Sequence, residues 1–581
     1  MTTSTTEPRQ IVLAWPRPIT LAAIAIGVIP FVIHAWMAFN GYFGHDDFVI
    51  LHRAAAHGPF DLDYLFQDYS GHLAPGMFLL AWFVTAVAPL SHVVAVLPLL
   101  VMLAVASVLF WRVLTRCFGS RWTLLVPFAV YAFCPLILYP TLWWAYGVQL
   151  FPLLLTMFGA INAHLTYLRT RATKQVVITL LWTAAGLAFY EKAALFVVVL
   201  FGLTLLLGER VPWRVWLVHA VPVVAFAVLF LSLTTSRVKN DLPSADAIVE
   251  FAGLAVGNTF LPGLFGGPWT SPAPGATIST SPLWLRLTVA AVAVVVLVAG
   301  LREAPRRAGA AWLMLAGYFA VDLGLVIVTR LPEIGPLIGN DPRYIADAVP
   351  IAVLCATFAF LEPGERERTG DLKRPVVLGL VTLLGISATF SFLWLAPGLR
   401  FAKSEQYVST ARAALTANPS IALYDTHVPG EIISEWFVYD GLASRVVGLL
   451  PQRPKFDQPA EEMFLLDDNG SPQKITGVED PVVGRKGPVA DCGYPVGGQV
   501  VTIPLSGRVE GRQLLRMEYY TSSAGPARLA LGTVVQEVNV AAGLHVLYVA
   551  VNGGSDRLEI NRGTDVDPMC VVDVRIGSPA T

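Results

Sequence analysis

The densest chemistry in this chain lies near its start, in Gly44-His45-Asp46-Asp47-Phe48. Adjacent carboxylates repel each other, so such a pair beside an apolar run is costly unless it is solvated or used. It suits a general base, a metal ligand, or a group that orients an acceptor hydroxyl. The bland alternative is a helix cap, because Asp is a good N-cap. The same stretch adds Asp61, Asp63, Asp68 and His72. His72 lies four residues after Asp68, so a regular helical turn would put both on one face. Imidazole there could meet a phosphate, accept a proton or ligate a metal.

Further along, Tyr190-Glu191-Lys192 interrupts two apolar runs. Charges at membrane depth are expensive and usually face the interior of a helix bundle. A local ion pair at a turn is the plain alternative, stronger for Lys192 than for Glu191. Asp341-Pro342-Arg343-Tyr344 places a guanidinium at a helix start, suited to bidentate contact with phosphate. Arg330, Arg237 and Lys239 add positive charge on the same side, where snorkelling toward headgroups competes with ligand binding. Trp143, Trp144 and Tyr146 read first as an interfacial aromatic belt.

The elements that carry these residues are set by composition. The chain has 581 residues, 55% hydrophobic and 14% charged, with mean hydropathy +0.61 and formal net charge −1. A soluble domain is about 25% charged. Ordinary soluble enzymes and disordered proteins are therefore excluded, and the near-zero charge gives no basic field for nucleic acid. A run from about 19 to 39 is long enough to span and too long for a signal peptide. Apolar segments follow at about 72–90, 92–114, 122–140, 148–168, 176–190, 193–208, 212–235, 284–301, 308–330, 344–362 and 375–397. Basic clusters at Arg112/Arg116/Arg121, Arg169/Arg171/Lys174, Arg210/Arg214, Arg302/Arg306/Arg307 and Lys373/Arg374 fall on one side by the positive-inside rule. Arg9 and Arg17 put the N-terminus on that cytoplasmic side as well. The parity then predicts about 11 transmembrane helices, with 72–90 embedded without crossing.

This predicts a polytopic α-helical membrane protein of the plasma membrane. Residues 1–17 form a cytoplasmic tail and 18–397 the transmembrane domain. The latter has a first external loop at 41–91 and a long external loop at 236–283. From about 398 the runs shorten and alternate with period two between Gly-rich turns, as in an antiparallel β-sandwich. Helix is expected over 405–418 and a strand over 421–425. Cys492 and Cys570 flank most of the strands and could bridge in an oxidising compartment. Neither a Walker A sequence nor GxGxxG after a strand, HExxH or CxxC occurs, so nothing points to ATP hydrolysis, a dinucleotide or structural zinc.

One helix followed by an external loop with an acidic pair resembles the GT-C superfamily of integral-membrane glycosyltransferases, especially actinobacterial arabinofuranosyl- and mannosyltransferases. Asp46-Asp47 matches the acidic-pair position, and His72 a histidine that some members carry in that loop. Arg343-Tyr344 is similar to an Arg-Tyr pair after a later external loop. The pair is Asp-Asp rather than Asp-Glu, and Trp143-Trp144 is followed by Ala145, so there is no WWD motif and transfer to Asn is disfavoured.

The resemblance implies a polyprenyl-phosphate-linked sugar as donor and an envelope glycan, lipid or protein as acceptor, with inversion. Asp46 or Asp47 would be the base, and the other would position the acceptor or a divalent cation. His72, Arg343, Tyr344, Glu191, Lys192 and Asp68 would bind donor phosphate or acceptor. Residues 398–581 would form an extracytoplasmic, carbohydrate-binding domain. A flippase for lipid-linked saccharides and a non-catalytic assembly protein are the competing readings.

Overall fold

The computed structural model describes residues 18–234, 243–272, 278–364, 371–437, 440–452 and 454–581. Arg9, Arg17, Arg237 and Lys239 lie outside the described residues. The chain divides into two compact units, one of residues 1–42 and 56–401, the other of residues 43–55 and 402–581.

The first unit is helical. Among the described residues, eight helices are long and apolar enough to cross a membrane, or nine if Trp122–Ala132 and Pro135–Leu142, bent by 41°, make one span. Trp213–Leu233 shows why water is the wrong solvent. Of its 21 residues only His219 is buried, while Leu217, Val221, Val224, Val228 and Leu231 are each more than half exposed. An apolar surface of that extent is tolerated in hydrocarbon and not in water. The chain is thus a multi-pass membrane protein.

The helix inventory differs from the expected eleven. Segments 176–190 and 193–208 form Thr173–Leu187 and Phe196–Leu206, of 15 and 11 residues. Both fall short of the ~20 residues a span needs. The chain breaks between them because Glu191 and Lys192 turn inward to distant partners. Segment 344–362 yields the 13-residue Ala348–Phe360, and 72–90 the 13-residue Pro75–Val87, roughly 20 Å long. The stretch 236–283 is not simply a loop. It holds the apolar helix Ala245–Leu264, whose middle, Gly253–Phe260, is π-helical.

The second unit is mostly β. Helix Ala402–Ala417 leads into a sheet in which Ala422–Leu423 lies parallel to Lys455–Phe456 and Phe464–Leu466, with Pro472–Lys474 antiparallel at the edge. A sandwich follows. One sheet runs Val534–Val540, Gly525–Leu531, Ser555–Arg562, Val501–Val509; the other runs Gly543–Asn552, Arg512–Thr521, Met569–Ala580, Gly477–Val483. Period-two alternation fills two cores. From Arg512–Thr521, Leu515, Met517 and Tyr519 enter the space between the sheets. Leu514 packs on the other face with Tyr424, Met463 and Tyr548. Gly532 at φ +63° makes the turn that splits 527–540 into a hairpin, a backbone angle that glycine adopts without strain. Cys492 and Cys570 form a disulfide across a sequence separation of 78 residues.

Candidate active site

The acidic pair opens helix Asp46–Ala55, which belongs to the second unit. Gly44 N–H donates to Asp47 Oδ2 at 2.9 Å, and Asp47 N–H donates back to the Gly44 carbonyl at 3.1 Å. This reciprocal cap satisfies helix-start donors, and it explains why the fully buried Asp47 is tolerated. Asp46 is half-buried at the same helix start, where the helix dipole favours a carboxylate. His45, at φ +51°, turns the chain into the helix, and its N–H donates to the Ile432 carbonyl at 2.7 Å. The cap reading and the chemical reading thus separate by residue: Asp47 caps, and Asp46 keeps some exposure to solvent. Among the described residues, no three His, Cys, Asp or Glu side chains cluster to hold a metal ion. The donor set around the pair therefore stops short of a cation cage.

Two further contacts hold this helix within its unit. Arg53 Nη2 meets Asp440 Oδ2 at 3.1 Å, and Arg445 Nη1 donates to His52 Nε2 at 2.5 Å. Burial, then the Arg445 charge, push the His52 imidazole down from 6.5 to about 4. The folded form therefore resists a proton that the unfolded chain accepts. Stability from this site is complete above about pH 6.5 and declines as pH falls toward 4. Amide protection factors across 43–55, taken relative to the intrinsic exchange rate at each pH, should fall between pH 7 and pH 5, and His52→Gln should flatten that dependence.

In the membrane unit, Asp68-Tyr69-Ser70-Gly71-His72 is a tight turn rather than a helix. Ser70 and Gly71 both have positive φ, Asp68 Oδ1 accepts from Gly71 N–H at 2.8 Å, and Tyr69 pairs with His72. The shared helical face expected for Asp68 and His72 therefore does not form. The turn aims His72 at two partners instead. His72 Nδ1 lies 2.8 Å from Glu191 Oε1, and Arg330 Nη2 lies 2.9 Å from His72 Nε2. A guanidinium can only donate, so Nε2 accepts and Nδ1 carries the proton given to Glu191.

Lys192 turns the other way. Its Nζ sits 2.7 Å from Asp322 Oδ1 and 2.8 Å from Asp347 Oδ1, and it donates to the Tyr344 carbonyl at 3.0 Å. Tyr318 donates to Asp347 Oδ2 at 2.6 Å. The local ion pair expected at this turn is thus a long-range one. The ammonium is buried and held between the two buried carboxylates. Arg343, one-third exposed, is paired through Nε with Asp341 at 2.8 Å and lies 4.4 Å from the centroid of the Trp143 ring.

The aromatic cluster is no lipid-facing belt. Trp143, Trp144 and Tyr146 are all buried, with Trp144 donating to the Ala95 carbonyl and Tyr146 to the Pro342 carbonyl. Arg330 is no snorkel either, since it is turned onto His72 and the Ser70 carbonyl. Asp347 and Tyr318 carry little signal in the sequence, where each is an isolated acid or phenol in an apolar run.

Neither a family model nor a curated protein matches the chain. Among solved structures it is similar to ArnT from Cupriavidus metallidurans bound to undecaprenyl phosphate, at TM-score 0.44 and 13% identity over 77% of this chain and 94% of that one. It is also similar to arabinosyltransferase EmbB from Mycobacterium smegmatis, at TM-score 0.32 and 13% identity over 100% and 66%. A third is the mycobacterial arabinofuranosyltransferase AftD, at TM-score 0.33 and 11% identity over 97% of this chain and 58% of AftD.

Proposed function

We propose that this chain is a membrane glycosyltransferase of the GT-C kind. It takes a sugar from a polyprenyl-phosphate-linked donor and gives it to a hydroxyl of an envelope glycan, lipid or protein on the extracytoplasmic face. The observation that carries the reading is the half-buried Asp46 carboxylate at a capped helix start, directly after the first apolar helix.

In the reaction, the acceptor oxygen attacks the anomeric carbon as the carbon–oxygen bond to phosphate breaks. Asp46 takes the hydroxyl proton, and the polyprenyl phosphate leaves with the bonding pair. Inversion follows from a single displacement. Within the membrane unit, the guanidinium groups of Arg330 and Arg343 would supply positive charge for a lipid phosphate, with His72 holding Arg330 in place. Lys192, enclosed by two carboxylates, sets the Tyr344 backbone rather than meeting the phosphate. The one-sided basic clusters favour a cytoplasmic N-terminus and an extracytoplasmic second unit.

The buried Lys192–Asp322–Asp347 cluster supports one competing reading, transport of a lipid-linked saccharide, because intramembrane charges often mark such paths. The test uses membranes from cells expressing wild type or Asp46→Asn/Asp47→Asn. Radiolabelled polyprenyl-phospho-arabinose and polyprenyl-phospho-mannose are supplied separately, with native acceptors. Incorporation from one donor that collapses in a well-expressed double variant is the expected result. Equal incorporation by both proteins refutes the assignment and leaves transport standing.

A further inference from the structure

The acidic pair is held by residues that follow it by almost four hundred positions. Segment 43–55 packs within the C-terminal unit, anchored by the His45 N–H to Ile432 contact, the Arg53–Asp440 pair and the Arg445–His52 bond. These anchors do not end at the segment. Ser444, next to Arg445, donates through its N–H and hydroxyl to Asp425 Oδ1 and Oδ2 at 2.9 and 2.6 Å. Asp425 N–H donates to Asp457 Oδ1 at 3.0 Å. Arg512, the first residue of a sandwich strand, grips both Asp457 oxygens at 2.6 and 2.7 Å and the Asp425 carbonyl at 2.9 Å. The Arg512 guanidinium also lies 4.8 Å from the Tyr424 ring centroid.

A set of hydrogen bonds that involve charged groups therefore runs from the β-sandwich to Ser444 and, through the adjoining Arg445, to the helix that Asp46 opens. Charge-assisted bonds of this kind fix direction as well as distance. Nothing about an accessory binding module requires it. A catalytic carboxylate does, because an ångström of misplacement of a reacting group costs about a hundredfold in rate.

We propose that the C-terminal unit is the clamp that positions the acidic pair, with Arg445 and Asp440 as its positioning residues and Arg512–Asp457–Asp425 as their support. The proposal rests on the glycosyltransferase reading of that pair.

The test uses the full chain in nanodiscs. Arg445→Gln and Asp440→Asn are each compared with wild type for kcat, donor KM and deuterium uptake of peptides covering 43–55. The expected result is a kcat at least tenfold lower, a donor KM within twofold of wild type, and faster uptake confined to 43–55. The charge swap Arg53→Asp/Asp440→Arg should recover both kcat and slow uptake relative to Asp440→Asn. Unchanged uptake in both single variants overturns the clamp, as does faster uptake with wild-type kcat. Asp46→Asn/Asp47→Asn, run alongside, separates two failures. Full transfer by that variant overturns the reading of the pair itself. Lost transfer there, with wild-type kcat in Arg445→Gln and Asp440→Asn, overturns only the clamp.

Discussion

Asp46→Asn lowers the transfer rate by about 10²–10⁴-fold, the usual range for loss of a positioned general base, while Asp47→Asn lowers it only about tenfold. The asymmetry follows from the helix cap. Asp47 is buried and its Oδ2 accepts from Gly44 N–H, a bond that the carbonyl oxygen of Asn can also accept. The Asp47→Asn protein keeps the cap and loses a charge, so the neighbouring carboxylate is disturbed through the field and not through geometry. Asp47→Ala is harsher. It leaves Gly44 N–H without this acceptor, costs about 0.5–2 kcal/mol as cap losses do, and frees the start of the helix. Asp46 is half-buried, and the exposure it keeps is what a base that must meet an incoming hydroxyl needs. Rates in membranes matched for protein level, at saturating donor, decide the matter. A collapse in Asp47→Asn with near-normal Asp46→Asn would reverse the assignment of base and cap.

The physics explains which of these features a linear reading could reach. Membrane class follows from composition alone, because no soluble surface can be built with so few charges. The sandwich follows from period two, visible in Leu515, Met517 and Tyr519. The turn before His72 was within reach, since Ser70-Gly71 is a turn dipeptide and the helical spacing from Asp68 was the weaker signal. Other features were closed to such a reading. Trp143, Trp144 and Tyr146 look alike on a belt and in a core, and only tertiary burial tells them apart. Arg330 carries the same charge whether it snorkels or meets His72. Arg53 and Asp440 are 387 positions apart, and no periodicity links a helix in the first loop to a turn in the last third of the chain.

Lys192→Met is the most damaging change expected for stability in the membrane unit. The ammonium is buried, and it is the shared partner of Asp322 and Asp347, both also buried. Its removal leaves two carboxylates facing each other without a countercharge. Breaking a buried ion pair from one side costs about 3–5 kcal/mol. The Tyr344 carbonyl loses its donor as well, so the chain beside Arg343 loosens. Lys192→Met is expected to lose most folded protein in a temperature-ramped size-exclusion assay in detergent. Removing the stranded charges should reverse much of that loss. Lys192→Met/Asp322→Asn/Asp347→Asn replaces the cluster by neutral groups, and the amide oxygen introduced by Asp347→Asn can still accept from the Tyr318 hydroxyl, which lies 2.6 Å from the native Asp347 Oδ2. Recovery in the triple variant identifies desolvated charge as the cause. A Lys192→Met protein as stable as wild type would show that the carboxylates tolerate each other without it, and the cluster could then not be what fixes the Tyr344 backbone.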